Sequence, residues 1–235
     1  MRLGIMQPYF MPYIGYFQLL NYCDTFVLYD DIEYTKKGWI TRNRIQVNGD
    51  IRLFSLNLKK DSDYLSIKER SLAESFDRSK LLRLFKETLR RTPHYEETIA
   101  LLSPIVSYGS NDLFSYLENS ISLVCQHLGV NTKLVKSSDL DIDHELRGQQ
   151  RVLQICSVLN AEQYVNPIGG MELYDIESFR NRGLDLKFIE SKLSPYFQGD
   201  FDFVPALSIV DQLAFCGSAA TKMALENDFD LVKAQ

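Results

Sequence analysis

Residues 2–31, RLGIMQPYFMPYIGYFQLLNYCDTFVLYDD, decide how the rest of the chain is read. RLGIM is a short apolar run of the kind that forms a buried strand. Pro8 and Pro12 brace the loop after it. From Tyr13 onward, Ile14, Phe17, Leu20 and then Leu19, Cys23 recur at the spacing of one helical face. TFVLYDD is a second β-rich run, and it closes on Asp30 and Asp31. Strand, helix and strand within thirty residues make a βαβ unit, which requires two parallel strands and a right-handed crossover.

The same alternation returns later in the chain. TKLVKSS (132–138) predicts a strand, RGQQRVLQICSVLN (147–160) a helix, EQYVNP (162–167) a strand, SFRNRG (178–183) a short helix closed by glycine, and LDLKFIE (184–190) a strand. SIVDQLAFCG (208–217) predicts the last helix, with Ser208 as its cap. Between the two α/β stretches, WITRNRIQV and DIRLFSLNL flank NGD, a strong hairpin signal. Residues 59–78 are polar and predict a loop, and helices are expected over 79–91, 94–107 and 111–128. The third of these carries Leu113, Leu117, Ile121, Val124 and Leu128 on one face. The expected fold is therefore α/β, a Rossmann-like parallel sheet with a β-hairpin and a helical insertion at roughly 60–130. All of it falls in one domain spanning 1–235.

Composition narrows the function. The chain has 235 residues, 45% of them hydrophobic and 24% charged, with a net charge of -5. A chain of this size buries about 70% of its unfolded surface and needs no covalent staples. No nucleic-acid partner is expected, because the bulk basic field is missing. No apolar run is long enough to span a membrane. MRLGIMQPYF breaks too early for a signal peptide, and the cytoplasm is the expected location. The four cysteines lie in apolar helical contexts and form no CxxC, so they read as small buried hydrophobes. His94, His127 and His144 are scattered, and neither a metal site nor a catalytic triad is expected from their spacing.

In open parallel sheets, ligands bind at the carboxyl ends of the strands. Those ends carry Gln7-Pro8-Tyr9, Asp30-Asp31, Ser137-Ser138, Asn166-Pro167 and Glu190-Ser191, and the fold predicts that they face one crevice. Asp30 and Asp31 are the candidate catalytic carboxylates, as base or hydroxyl binder. Adjacent strand residues point oppositely, so one of the pair is expected to face the site. In YTKKGWITRNR, Lys36, Lys37, Arg42 and Arg44 surround the single Trp39, a pattern that suits phosphate beside a stacked ring. The turn at Gly169 and Gly170 offers backbone N–H groups. Gln7, Tyr9, Tyr13, Lys36, Trp39, Arg42, Asn43, Asn166, Gly169 and Gly170 are the candidate substrate-binding residues. The charged-edge and plain-turn readings of these segments remain open beside the functional ones.

QPYFMPYIGYFQLL, VLYDDIEYTKKGWITRNRI, SSDL, YVNPIGGMELYD and LSIVDQL, in this order, resemble the WbqC-like family over nearly the whole chain. Members are associated with bacterial O-antigen and other surface-polysaccharide gene clusters. The resemblance implies an enzyme that transfers a group on a nucleotide-linked sugar or a related phosphate-bearing metabolite, with no cofactor specified. More faintly, YIGY (13–16) stands where nucleotidyltransferases carry HxGH. That likeness implies ATP and magnesium, but tyrosines replace both histidines and no KMSKS-like run follows. A third reading is a non-catalytic binding or assembly protein of the same pathway.

Overall fold

A computed structural model describes residues 1–233. In chain order, β1 (Arg2–Met6), α1 (Ile14–Tyr22) and β2 (Thr25–Leu28) form the expected βαβ unit, with Leu3, Gly4, Ile5 and Met6 in parallel register with Thr25, Phe26, Val27 and Leu28. Then come the hairpin strands β3 (Arg42–Val47) and β4 (Asp50–Ser55), and the helices α2 (Arg78–Leu89), α3 (Tyr95–Val106) and α4 (Leu113–Leu128). β5 (Lys133–Lys136), α5 (Gly148–Val158), β6 (Gln163–Pro167), α6 (Ile176–Arg180), β7 (Asp185–Ser191), α7 (Ile209–Asn227) and β8 (Phe229–Lys233) complete the chain.

The six-stranded sheet runs β5-β2-β1-β6-β7-β8, and its first five strands are parallel. Counted along the chain, that is the doubly wound order 3-2-1-4-5-6. Side chains alternate between the two faces as a strand requires. Phe26, Leu28 and Val165 join a buried cluster with α1, α4, α7 and the hairpin. Leu3, Ile5, Val27, Tyr164 and Phe188 join another with α5 and α6. Gly4 leaves room on the first face, since a Cβ there would stand 2.9 Å from both the Phe26 ring and Cys23 Sγ.

Local chemistry explains the insertion. Asn48 and Gly49 both adopt positive φ (51° and 87°), the primed turn whose twist suits a two-residue hairpin. The Asp77 carboxylate accepts from the Lys80 N–H at 2.9 Å to start α2, and Asp112 accepts from the Ser115 N–H at 2.7 Å to start α4. Gly129, with φ 69°, ends α4.

Four details depart from expectation. The first hairpin strand starts at Arg42, so Trp39 lies in the preceding turn and not in the strand. A 3-10 turn at Ile67–Glu69 interrupts the predicted loop, held by reciprocal Ser66–Glu69 capping. Gly217 kinks α7 without ending it, and the helix continues to Asn227. β8 was not expected; it is short, half-exposed and antiparallel to β7, a combination with little periodic signal.

One buried carboxylate ties the hairpin and the 192–208 segment to α7. Asp211 is 0% exposed. It accepts from the Tyr196 hydroxyl at 2.8 Å, Gln198 Nε2 at 3.0 Å and the Gln46 N–H at 3.4 Å. Burial pushes its carboxyl above the ordinary carboxylate range, and the three donors pull it part of the way back. Asp211→Ala would orphan these buried donors, and is expected to lower stability by about 3 kcal/mol, read from the urea midpoint.

Candidate functional site

The strand order reverses between β1 and β6, because β2 adds on one side of β1 and β7 on the far side of β6. Crossover helices diverge at such a point, and a crevice opens beyond the strand ends. A cavity of about 440 Å³ lies there, lined by Met6, Gln7, Tyr9, Tyr29, Ile32, Asn166, Gly169, Gly170 and Tyr174 among others. Tyr9 donates to Gln7 Oε1 at 3.3 Å, and Tyr164 reaches both Asn166 Oδ1 at 3.3 Å and the Tyr174 hydroxyl at 2.9 Å. Gly170 is needed for the fit, since a Cβ there would overlap Asn166 Nδ2. Burial raises the Tyr9 phenol and moves Tyr29 up to about 12, so these tyrosines act as neutral hydrogen-bonding groups.

Tyr9 is also a wall of a second cavity of about 180 Å³, shared with Pro12, Tyr13, Trp39, Asn43, Arg44 and Ala206. The guanidinium carbons of Arg42 and Arg44 lie 5.5 and 5.3 Å from the Trp39 ring centroid. Arg44 Nε is buried with no hydrogen-bond partner. The backbone beside this cavity is strained, with Met11 at φ 46° and Ala206 at φ 53°. Met11 is held in place through its carbonyl, which accepts from Asn43 Nδ2 at 2.6 Å and from the Ser208 hydroxyl at 2.8 Å. Asn43 Oδ1 in turn accepts from the Arg44 N–H at 2.9 Å. Asn43 therefore shapes the cavity wall with its polar atoms already engaged.

Several expected residues lie elsewhere. Lys36 pairs with Asp63 at the surface and lines neither cavity. Arg42 donates to the Gly38 carbonyl at 3.1 Å and to the Lys37 carbonyl, bracing the turn that carries Trp39. Gly15 gives no approach to a ligand, because its open side is filled by the Tyr13 ring and Ser191. In YIGY, Tyr13 lines the smaller cavity, but Tyr16 is packed in the core against Phe17 and Phe26. An HxGH-type pair facing one phosphate is thus not assembled.

The strand ends form two regions, not one. At the ends of β2 and β5 a third, polar pocket of about 480 Å³ is lined by Asp31, Ile32, Glu33, Ser66, Lys68, Glu69, Ser138, His144 and Arg147, among others. Ile32 is its shared wall with the crevice. Asp30 is 1% exposed and turned inward. Its carboxylate accepts from the Ser137 hydroxyl at 2.8 Å, the Ser138 N–H at 3.0 Å and the Ser138 hydroxyl at 2.6 Å. That clamp joins the ends of β2 and β5. Ser137 also reaches Asp31, so the two carboxylates converge on one hydroxyl and do not point apart. The strand ends at Leu28, so the alternation rule no longer governs positions 30 and 31.

Asp31 has partners that spacing did not reveal. Its Oδ2 accepts from Arg151, which is 1% exposed, and lies 2.8 Å from His144 Nδ1. Burial pushes the Asp31 carboxyl up, but the Ser137 bond, Arg151 and His144 outweigh it and hold it below the usual range. The Arg151 guanidinium also covers the Tyr29 ring at 5.0 Å, linking the polar pocket to the crevice. A signal for Arg151 was present in the sequence: it lies one turn from Ile155 on the apolar face of α5, where a charge needs a buried partner. His144, in an acidic loop, had no such signal.

The family model for WbqC-like proteins matches residues 7–223, the span that carries most of the lining of the three cavities. The chain belongs to the WbqC-like protein family. An uncharacterized protein of Mycobacterium tuberculosis, Rv1507c, is similar to it, at 25% identity over 222 residues covering 93% of this chain and 95% of that protein. No solved structure matches. Within this WbqC-like chain no described helix is long and apolar enough to cross a membrane.

Removing Asp31 would leave the Arg151 charge buried and unpaired. Asp31→Ala is expected to cost on the order of 3 kcal/mol at pH 7. The folded-state pKa of Asp31 is depressed, so its contribution is present above the unfolded value of about 4 and is lost as pH falls through the folded value. Urea melts of wild type and variant should therefore converge at low pH.

Proposed function

We propose that this protein is an enzyme of bacterial surface-polysaccharide biosynthesis that binds a nucleotide-linked sugar and transfers a group on it. The observation that carries this reading is the pair of cavities meeting at Tyr9 where the strand order reverses. The larger one falls within the roughly 300–1,000 Å³ of small-molecule sites, and the smaller one has the size of a single ring. Trp39 and Tyr13 supply aromatic walls for a base, and the Arg44 side chain puts a positive charge on the same cavity for an anionic group. Gln7 and Asn166 offer neutral hydrogen bonds to sugar hydroxyls, and Gly169 and Gly170 leave the crevice floor open. The surface-polysaccharide setting rests on the resemblance to the WbqC-like family and its gene clusters. Adenylyl transfer from ATP is the weaker reading, since Tyr16 is in the core. An assembly role without chemistry would leave the polar pocket beside the crevice without a purpose.

Trp39 is the only tryptophan and is 43% exposed, so its fluorescence reports directly on the smaller cavity. UDP-N-acetylglucosamine is expected to change that emission saturably and to raise the melting temperature. At about 100 times its dissociation constant it should add about 2.7 kcal/mol of stability. Asn166→Leu should weaken the effect without altering the fold, read by circular dichroism. A response to ATP with magnesium but not to nucleotide sugars would favour the adenylyl reading instead.

A further inference from the structure

The polar pocket beside the crevice contains an arrangement that the crevice reading does not use. Asp31 lies at its edge with a side chain only 7% exposed, fixed by Arg151 from α5 and by Ser137 from the end of β5. His144 presents Nδ1 to Asp31 Oδ2 at 2.8 Å, and its ring is 44% exposed on the pocket wall. An ionised carboxylate can only accept, so the hydrogen of that bond belongs to Nδ1. In the neutral ring this leaves the lone pair on Nε2, which has no hydrogen bond among the described residues. Arg151 NH2 also lies 3.2 Å from Nδ1, but a guanidinium only donates, so with the hydrogen on Nδ1 this approach is not a hydrogen bond and the Arg151 N–H goes to Asp31 Oδ2.

We infer that His144 is the proton acceptor of this site, with Asp31 as its positioning residue and a sugar hydroxyl of the bound substrate as the proton donor. This deepens the reading of the crevice as a nucleotide-sugar site and rests on it. In the step, the hydroxyl O–H bond breaks and its electron pair stays on the oxygen. The proton forms a new N–H bond at Nε2, and the resulting positive ring is held against the Asp31 carboxylate. The same geometry explains why Asp31 is a poor base itself: its oxygens are occupied by Ser137, Arg151 and His144, and those donors hold its carboxyl below the usual range. The other charged groups around the ring are Glu33, Lys68, Glu69, Glu145 and Arg147. Carboxylates of this kind, together with the Ser138 hydroxyl, suit a polyhydroxylated ligand. Ile32 lines both cavities, so the pocket that holds His144 adjoins the crevice.

Two experiments test the inference. In wild-type protein with 15N-labelled histidine, two-bond 15N–1H spectra of the neutral His144 ring should show the Nδ1–H tautomer; the Nε2–H tautomer would overturn the proposal. In the native host, His144→Asn keeps an N–H that can reach Asp31 but has no Nε2. It is expected to lose the surface polysaccharide as completely as a deletion does, while the purified variant keeps the Trp39 response to UDP-N-acetylglucosamine. Wild-type polysaccharide in that strain, beside an altered deletion strain, would also overturn it. A deletion with no effect on polysaccharide would instead remove the pathway reading, and the tautomer would then decide the role of His144 alone.

Discussion

The crevice depends on the place where the strand order of the sheet reverses. β1 has parallel neighbours on both sides, reached by the chain at very different times: β2 at once, β6 after some 130 further residues of hairpin, insertion and β5. Right-handed crossovers then put α1 on one face and α5 and α6 on the other. The crossover helices diverge at the reversal, so Gln7 and Tyr9 after β1 and Asn166, Pro167, Gly169 and Gly170 at the end of β6 are left to line the crevice. The glycines and aromatics found there are consequences of that gap.

Rigidity around the gap comes from buried polar contacts. Asp30 fastens the end of β2 to the end of β5 through two serines. Asn43 and Ser208 converge on the Met11 carbonyl and hold a left-handed backbone that a non-glycine residue adopts at a cost of about 1–3 kcal/mol. Asp211 joins the hairpin and the 192–208 segment to α7. These contacts carry motif residues of RNR, SSDL and LSIVDQL, which links the recurring sequence pieces to the placement of the cavity walls. Two of the candidate substrate-binding residues, Asn43 and Arg42, have side-chain hydrogen bonds that brace the loop and the turn beside the smaller cavity.

The fold was largely legible in the sequence. The βαβ opening, the Asn-Gly hairpin and the later strand–helix alternation are local patterns, and period and turn chemistry report them directly. The site was legible in part. Gln7, Tyr9, Asn166, Gly169 and Gly170 come together because each lies at or just beyond the carboxyl end of a parallel strand, and that rule needs only topology. Tyr13 and Trp39 meet because the hairpin folds back over the first loop, as the Phe10 N–H bond to the Ile40 carbonyl at 2.9 Å shows.

By itself, then, the amino-acid sequence determined the strands, the crossovers and the family motifs, all of which are encoded in neighbours along the chain. Tertiary structure alone decided which polar groups are open and which are engaged. Asp30 and Asp31 are adjacent in sequence, yet one is closed off by serines and the other faces His144 and Arg151 from 113 and 120 residues away. Hydrogen-bond partners at that separation are chosen by how α5 and its preceding loop pack on the sheet. No local pattern records that choice, because a carboxylate's chemistry depends on the donors that reach it.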